Sequence, residues 1–380
     1  MNHNYEQEIE DILTATPKLS GNLITVREII IYGAGTIGRR VLTWLRGRGV
    51  TVSCFLDERG GHGLTSDGVP VLQPNDTTVN KKVKVIVALF NHRTDVAAVK
   101  MLLWQLGFSD IVLYTEVYLN FSAELPARYW LGPIDIYQKN LSQLADVLAL
   151  LQDEISRDLF KSWLQFRVSG DIAVMPEPDI KNIYFPTDIP AVRRPNKIID
   201  CGAFDGDTLM SVYEKFGTID SILAFEPDGA NFSRLTTRET DEKKLSHNTT
   251  FIPCGVWSRT GQFKFFSENY LDSRISADGN VLVQCVALDE CFRGYQPDFI
   301  KMDIEGAEPK ALRGCRLMIG LHKPDLAISI YHHPEHLWEI PLFIKSLVPD
   351  YKFYLRTHGY NGYDTVFYAY YEGGRKKLTM

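Results

Sequence analysis

Between Arg27 and Tyr118, short apolar runs alternate with longer stretches whose apolar residues recur at helical spacing. EIIIYGAG, VTVSCFLDE and KVKVIVALF read as buried strands, DIVLYT as a short last one, and IGRRVLTWLRGRG and RTDVAAVKMLLWQLG as helices. The stretch RGGHGLTSDG reads as a long polar loop. Strands interleaved with helices predict βαβ units and a parallel sheet, here a small α/β domain over residues 1–118. From Leu119 the strand pattern stops. QKNLSQLADVLALLQDEISRDLFKSWLQFRVSGD has helical spacing, and VMPEPDIKNIYFPTDIPAVRRP is too rich in proline for a long helix. Residues 119–195 are therefore expected to form a helical connector and an extended arm. From Asn196 to the end a second α/β domain is expected. Its strands are KIIDCG, SILAFEP, TFIPCGVW, QFKFFS, VLVQCVAL, DFIKMDIEG, DLAISIYH, KFYLRTH and TVFYAYY. The last two flank GYNGYD and should pair as an antiparallel hairpin at a sheet edge.

The chain has 380 residues and a formal net charge of -6, so no general attraction to nucleic acid or to an anionic membrane is expected. The N-terminus, MNHNYEQEIEDI, lacks the basic and apolar regions of a signal peptide. No apolar run approaches the roughly 20 residues of a membrane-spanning helix. The six cysteines show no CxxC pair and no regular framework, which favours reduced thiols and a cytoplasmic location.

Two glycine turns follow first strands, and their chemistry differs. Gly33-Ala34-Gly35-Thr36-Ile37-Gly38 carries no acid and runs into Arg39 and Arg40, which suits a phosphate at a helix start. The second turn, within KIIDCGAFDGDT, places Asp200, Asp205 and Asp207 around Gly202 and Gly206, which does not. A ligand for it should carry an ammonium or sulfonium cation, a short carboxylate and a nucleoside without phosphates. S-adenosylmethionine meets all three conditions. Glu226 ends the next strand about twenty residues on, where an acid in doubly wound folds accepts both ribose hydroxyls. As plain structure, Asp200 and Glu226 would instead cap the helices that follow.

In DFIKMDIEGAEPKALRG, alternation puts Phe299, Lys301 and Asp303 on one face of a strand. Asp303 falls at the carboxyl end, where ligands bind in open α/β sheets, with Glu305 and Glu308 just beyond. Lys301 needs a charged partner if it is buried. AISIYHHPEHLWEI runs out into Tyr331 and His332 at another carboxyl end, well placed for a general base. His333 and His336 read as surface or helix-start residues. The acids with His332 also leave open an oxygen-rich divalent metal site.

Together, DCGAFDGDT, AFEPDGANFSRL, VALDE, FIKMDIEGAEPKALRG and LAISIYHHPEHLWEI resemble the FkbM family of S-adenosylmethionine-dependent methyltransferases. LQDEISRDLFKSWLQFRVSGD and YFPTDI resemble the segment that precedes the catalytic domain in many members, so the resemblance covers roughly Leu151 to Tyr371. It implies a class I methyltransferase fold, a seven-stranded sheet whose last strand is antiparallel. It also implies O-methyl transfer to a hydroxyl of a sugar, polysaccharide precursor or polyketide-like small molecule. By motif, Gly202, Ala203, Asp205, Gly206 and Thr208 line the methionine end of the cofactor, with Phe204 in place of a more usual tyrosine. Glu226 holds the ribose and the Gly255-Val256 backbone lies against adenine. Asp303 approaches the cofactor's amino group or the acceptor, and His332 acts as base.

The first domain resembles Rossmann-like domains that precede sugar-modifying enzymes and bind nucleotides or nucleotide-sugars. Gly33, Gly35 and Gly38, with Asp57 ending the second strand, are its candidate ligand residues. The competing enzyme class is an NAD-dependent oxidoreductase or epimerase acting on a nucleotide-sugar through this domain. No Tyr-x-x-x-Lys pair stands out there. A binding protein with two decayed folds would have no reason to keep Asp200, Glu226 and Asp303.

Overall fold

The computed structural model describes residues 4–14, 26–125, 129–189, 192–239, 244–266, 274–275 and 281–373. The chain forms two units. The first comprises Met1–Ser142, Asp158–Pro178 and Gly359–Asp364, and the second Gln143–Arg157, Asp179–His358 and Thr365–Met380. The helical connector is thus shared between them, and its arm is described apart from residues 190 and 191. No described helix is long and apolar enough to cross a membrane.

In the first unit, β1 (Glu28–Tyr32), β2 (Thr51–Leu56), β3 (Thr65–Ser66), β4 (Val69–Leu72), β5 (Lys84–Val87) and β6 (Ile111–Leu113) form one sheet in the order β3-β4-β2-β1-β5-β6. All neighbours pair in parallel except β3 with β4. Helix α1 (Tyr5–Thr14) precedes the sheet, and α2 (Thr36–Gly47) and α3 (Val96–Gln105) follow β1 and β5. Leu56, Val85, Val87 and Leu103 are central to its core. The expected polar loop turns out to hold a hairpin. Asp67 and Gly68 both take positive φ, 51° and 76°, the geometry that lets an Asp-Gly pair close a two-residue turn. Helix α4 (Tyr114–Asn120) follows β6, and three helices lie in the connector: α5 (Asp135–Gln138), α6 (Leu141–Leu150) and α7 (Glu154–Ser169).

The second unit is built on seven strands in the order β16-β17-β15-β14-β7-β8-β9. These are β7 (Lys197–Cys201), β8 (Ile219–Phe225), β9 (Ser246–Ile252), β14 (Phe299–Met302), β15 (Asp325–Ser329), β16 (Lys352–Thr357) and β17 (Thr365–Tyr370). Only β17 runs antiparallel to its neighbours, the arrangement of class I methyltransferases. The central strands are buried except for Lys197 at the start of β7, so their sequences read as near-continuous apolar runs. TFIPCGVW is two strands, not one. It breaks at Pro253, and β10 (Gly255–Val256) leaves the main sheet to join a second one with β11 (Gly261–Phe266), β12 (Arg274–Ile275) and β13 (Val281–Val286). The helices are α8 (Asp207–Phe216), α9 (Gly229–Glu239), α10 (Leu288–Cys291), α11 (Glu308–Gly314), α12 (Arg316–His322) and α13 (His336–Leu347).

Candidate active site

The carboxyl ends of β7, β8, β14 and β15 lie side by side. After β7 the chain turns through Gly202 (φ 79°), Phe204 (φ 50°) and Gly206 (φ 88°) into α8. A Cβ on Gly202 would stand 2.0 Å from the Asp303 carbonyl oxygen, so glycine is what lets the ends of β7 and β14 meet. The turn uses its own amides. Gly202 and Ala203 N–H donate to the Phe225 carbonyl, Phe204 N–H to Glu226 Oε2, and Gly206 N–H to the Ala203 carbonyl. With those amides occupied and acids on the turn, it is a poor cradle for phosphate. Glu226 is buried at the end of β8, where burial raises its pKa. Each of its oxygens takes one backbone N–H, from Phe204 and from Asp228, and the Asn231 side chain adds a third hydrogen bond, which leaves acceptor capacity for a hydroxyl donor. Gly255 and Val256 follow the end of β9 and are buried. Thr208 is buried in the first turn of α8, Asp205 is half-buried, and the Phe204 ring is exposed beside the Arg234 guanidinium.

Asp200 is buried beneath the turn. It is 0% exposed, opposite Lys301 in the β7–β14 register, and its Oδ1 lies 3.1 Å from Lys301 Nζ. Lys301 is 3% exposed and also donates to the Gly202 carbonyl. The pair therefore underpins the turn from below. Burial pushes Asp200 up to about 6 against the downward pull of Lys301. Burial would lower Lys301, but Asp200, Asp303 and Asp207 outweigh it and keep the ammonium charged.

Asp303 and Glu305 are the partly open acids of the cluster. Tyr184 donates to Asp303 Oδ2 at 2.9 Å and Tyr331 to its Oδ1 at 3.4 Å. His332 Nε2 stands 3.4 Å from Asp303 Oδ1 and 3.5 Å from Glu305 Oε2, while its Nδ1 faces Glu308 Oε1 at 3.1 Å. Burial alone would lower the His332 pKa. The charge and hydrogen bond of Glu308, then Glu305 and Asp303, raise it to about 10. Both ring nitrogens thus face carboxylates, so Nε2 is placed to give a proton to Asp303 or Glu305 in a hydrogen bond, and the imidazole is poorly suited to act as the base.

This arrangement fits what comparison with known proteins finds. Residues 200–361 match the model of the methyltransferase FkbM domain. Residues 200–361 are an FkbM-family methyltransferase domain. The protein is an S-adenosylmethionine-dependent methyltransferase. No curated protein matches the sequence. Among solved structures, methyltransferase FkbM from Methylobacillus flagellatus KT is similar in fold with a TM-score of 0.76 and 22% identity, over 96% of this chain and 98% of its own. Aeropyrum pernix fibrillarin, solved with natively bound S-adenosyl-L-methionine, aligns over 48% of this chain and 70% of its own, with 12% identity and a TM-score of 0.32.

Among the side chains that meet at Asp303, Tyr184 is the one the sequence did not point to. That residue sits in the proline-rich arm, 119 positions from Asp303, in a left-handed conformation (φ 67°) that nothing in YFPTDI announces. Its ring also lies 5.2 Å from Lys301 Nζ. His336, expected at the surface or a helix start, does begin α13 but is buried there. His333 is the exposed member of the three. In the first unit, Gly33 takes φ 97°, and a Cβ on Gly38 would stand 1.9 Å from the Gly33 carbonyl oxygen, so this third glycine seats α2 against β1. A Cβ on Gly35 would meet nothing within 4 Å. Asp57 accepts the Ala34 N–H at 3.1 Å and the Arg59 N–H at 3.0 Å.

Proposed function

We propose that the enzyme methylates a hydroxyl of a polyhydroxylated small molecule, such as a sugar, a polysaccharide precursor or a polyketide-like compound. The observation that carries this is Asp303, a partly exposed carboxylate held by Tyr184, Tyr331 and His332 at the end of β14, against the glycine turn. Bound S-adenosylmethionine supplies an activated methyl group on a sulfonium centre. The residues present fit it: a turn whose amides are used internally, with Asp205 and Asp207 nearby, favours a cation over a phosphate. Gly202, Ala203, Phe204, Asp205, Gly206 and Thr208 would hold its methionine end, Glu226 the ribose hydroxyls, and Gly255 and Val256 the adenine. Asp200 serves through Lys301 rather than by touching the ligand.

What remains for the chain is to orient one hydroxyl and accept its proton. Asp303 does both in this account, exchanging roles with His332. Two tyrosine hydroxyls fix the carboxylate by hydrogen bonds, with His332 Nε2 facing it at 3.4 Å, and its open side accepts the hydroxyl proton. Carboxylates such as Asp303 and Glu305 also suit an acceptor rich in hydroxyl donors. Asp303→Asn keeps the shape and removes the proton acceptor. Its kcat should fall by roughly 10²–10⁴-fold, with S-adenosylmethionine affinity changed less than about twofold. An unchanged kcat would remove Asp303 from the chemistry.

A second proposal concerns the first unit. The tight turn at Gly33, the open space at Gly35 and the absence of a side-chain cap on α2 support a nucleotide or nucleotide-sugar at this loop. Titration calorimetry with NAD and with a uridine diphosphate sugar checks it, and no heat with either would count against it.

A further inference from the structure

Beneath the proposed acceptor site lies a set of side chains of which O-methyl transfer uses only the Nε2 side of His332. Glu308 opens α11, His336 opens α13, and His332 follows β15. All three are buried, at 0%, 3% and 2% exposed. They converge: His332 Nδ1 is 3.1 Å from Glu308 Oε1, His336 Nδ1 is 3.6 Å from Glu308 Oε2, and one ligand atom from each lies within 4.8 Å of the others. Among the described residues no other group of three meets that test.

The hydrogen bonding of Glu308 is incomplete. Its Oε1 accepts the Ile304 N–H at 2.8 Å, whereas its Oε2 is buried and accepts no hydrogen bond. A buried carboxylate oxygen in that condition is costly unless something cationic meets it. The geometry points to a zinc ion bound by His332 Nδ1, His336 Nδ1 and both oxygens of Glu308. Two imidazoles and one carboxylate are an established zinc ligand set, and the imidazoles disfavour magnesium and calcium. With zinc–ligand bonds of about 2.0–2.2 Å, an imidazole nitrogen and a carboxylate oxygen on one ion stand roughly 3–3.6 Å apart, and the two nitrogen–oxygen contacts, 3.1 and 3.6 Å, lie in that range.

The surroundings complete the pattern. A metal-bound histidine usually gives its other N–H to a carboxylate, and His332 Nε2 faces Asp303 and Glu305. The ion would tie the β14–α11 turn to the β15–α13 turn and fix the His332 ring that orients Asp303. Its burial makes it a structural site, filled during folding and slow to exchange. This site goes beyond the oxygen-rich cluster of acids and His332 considered from the sequence, and it does not depend on the identity of the methyl acceptor.

The test uses the untagged full-length chain. It is incubated with zinc chloride, passed through gel filtration and assayed by inductively coupled plasma mass spectrometry, beside His336→Ala, the isosteric Glu308→Gln and the control His333→Ala. We expect close to one zinc per chain in wild type and in His333→Ala. Both ligand variants should lose at least tenfold in retained zinc. Stripping zinc from wild type with a strong chelator should lower the melting temperature of the second unit, and zinc alone, not magnesium or calcium, should restore it. Wild-type protein that retains no zinc and melts identically with and without chelator would overturn the site and leave Glu308 and His332 as a metal-free ion pair. Equal zinc in wild type and in both ligand variants would also overturn it, by placing the metal elsewhere.

Discussion

Replacing Lys301 by methionine isolates the contribution of the ion pair beneath the cofactor turn. Lys301 and Asp200 are 3% and 0% exposed, 3.1 Å apart, on neighbouring central strands. Removing one member of a buried pair costs about 3–5 kcal/mol, because the other charge is left uncompensated. Asp200 can escape by taking up a proton, and that sets a ceiling. At pH 7 protonating a carboxyl of ordinary pKa near 3.9 costs about 1.4 kcal/mol per pH unit, roughly 4 kcal/mol in all. In wild type Lys301 already works against burial to hold Asp200 at about 6, and without it the carboxyl rises further. The sign follows. The folded variant binds a proton that the unfolded chain has released, so its stability falls as pH rises. Lys301→Met should therefore be destabilised by about 3–4 kcal/mol at pH 7. The deficit should shrink by about 1.4 kcal/mol from pH 7 to pH 6 and level off below that, where Asp200 takes up a proton in wild type as well. Hydrogen exchange followed by mass spectrometry on β7 and β14 peptides, from pH 5 to 8, measures this without assuming that both units unfold together. Asp200→Asn combined with Lys301→Met should recover most of the loss. A deficit below about 1 kcal/mol with no pH slope would refute a buried charged pair here.

Tyr184→Phe keeps the ring against Lys301 and removes one hydrogen bond to Asp303. It should lower kcat by roughly tenfold to a hundredfold while leaving S-adenosylhomocysteine affinity and melting temperature unchanged, since Tyr184 positions the acid rather than the cofactor; steady-state kinetics beside calorimetry checks this. Glu226→Ala should weaken S-adenosylhomocysteine binding at least tenfold by calorimetry, and unchanged affinity would take Glu226 out of the cofactor site. Gly202→Ala must place a methyl 2.0 Å from a backbone carbonyl at φ 79°. A loss above about 4 kcal/mol is expected, read as missing soluble protein or a collapsed melting transition in the second unit.

Most of the fold was legible because its signal is local. Buried parallel strands such as KIIDC and FIKM read as apolar runs, and Lys301 inside one of them announced that it needed a partner. Which partner depends on register, since only the placement of β14 beside β7 puts Lys301 opposite Asp200. Until then Asp200 looked like a ligand residue. The β3–β4 hairpin carried a usable signal in Asp67-Gly68, masked by the polar residues around it. Tyr184 carried none, because its role comes from a long-range contact and an unusual backbone conformation. The histidine face was also opaque. YHHPEH does not say which rings turn inward, and Glu308 meets His332 and His336 only after two separate turns have folded against each other.

The central claim is methyl transfer to oxygen, and the product tests it most directly. The full-length enzyme is given S-adenosylmethionine labelled with carbon-13 in its methyl group, together with nucleotide-sugars, free saccharides and small amines in parallel. The labelled products are then assigned by nuclear magnetic resonance. Label recovered as a methyl ether on a hydroxylated acceptor is the predicted result. Label on nitrogen or carbon alone would contradict the account, leaving the methyltransferase assignment intact but Asp303 without the proton it is proposed to accept.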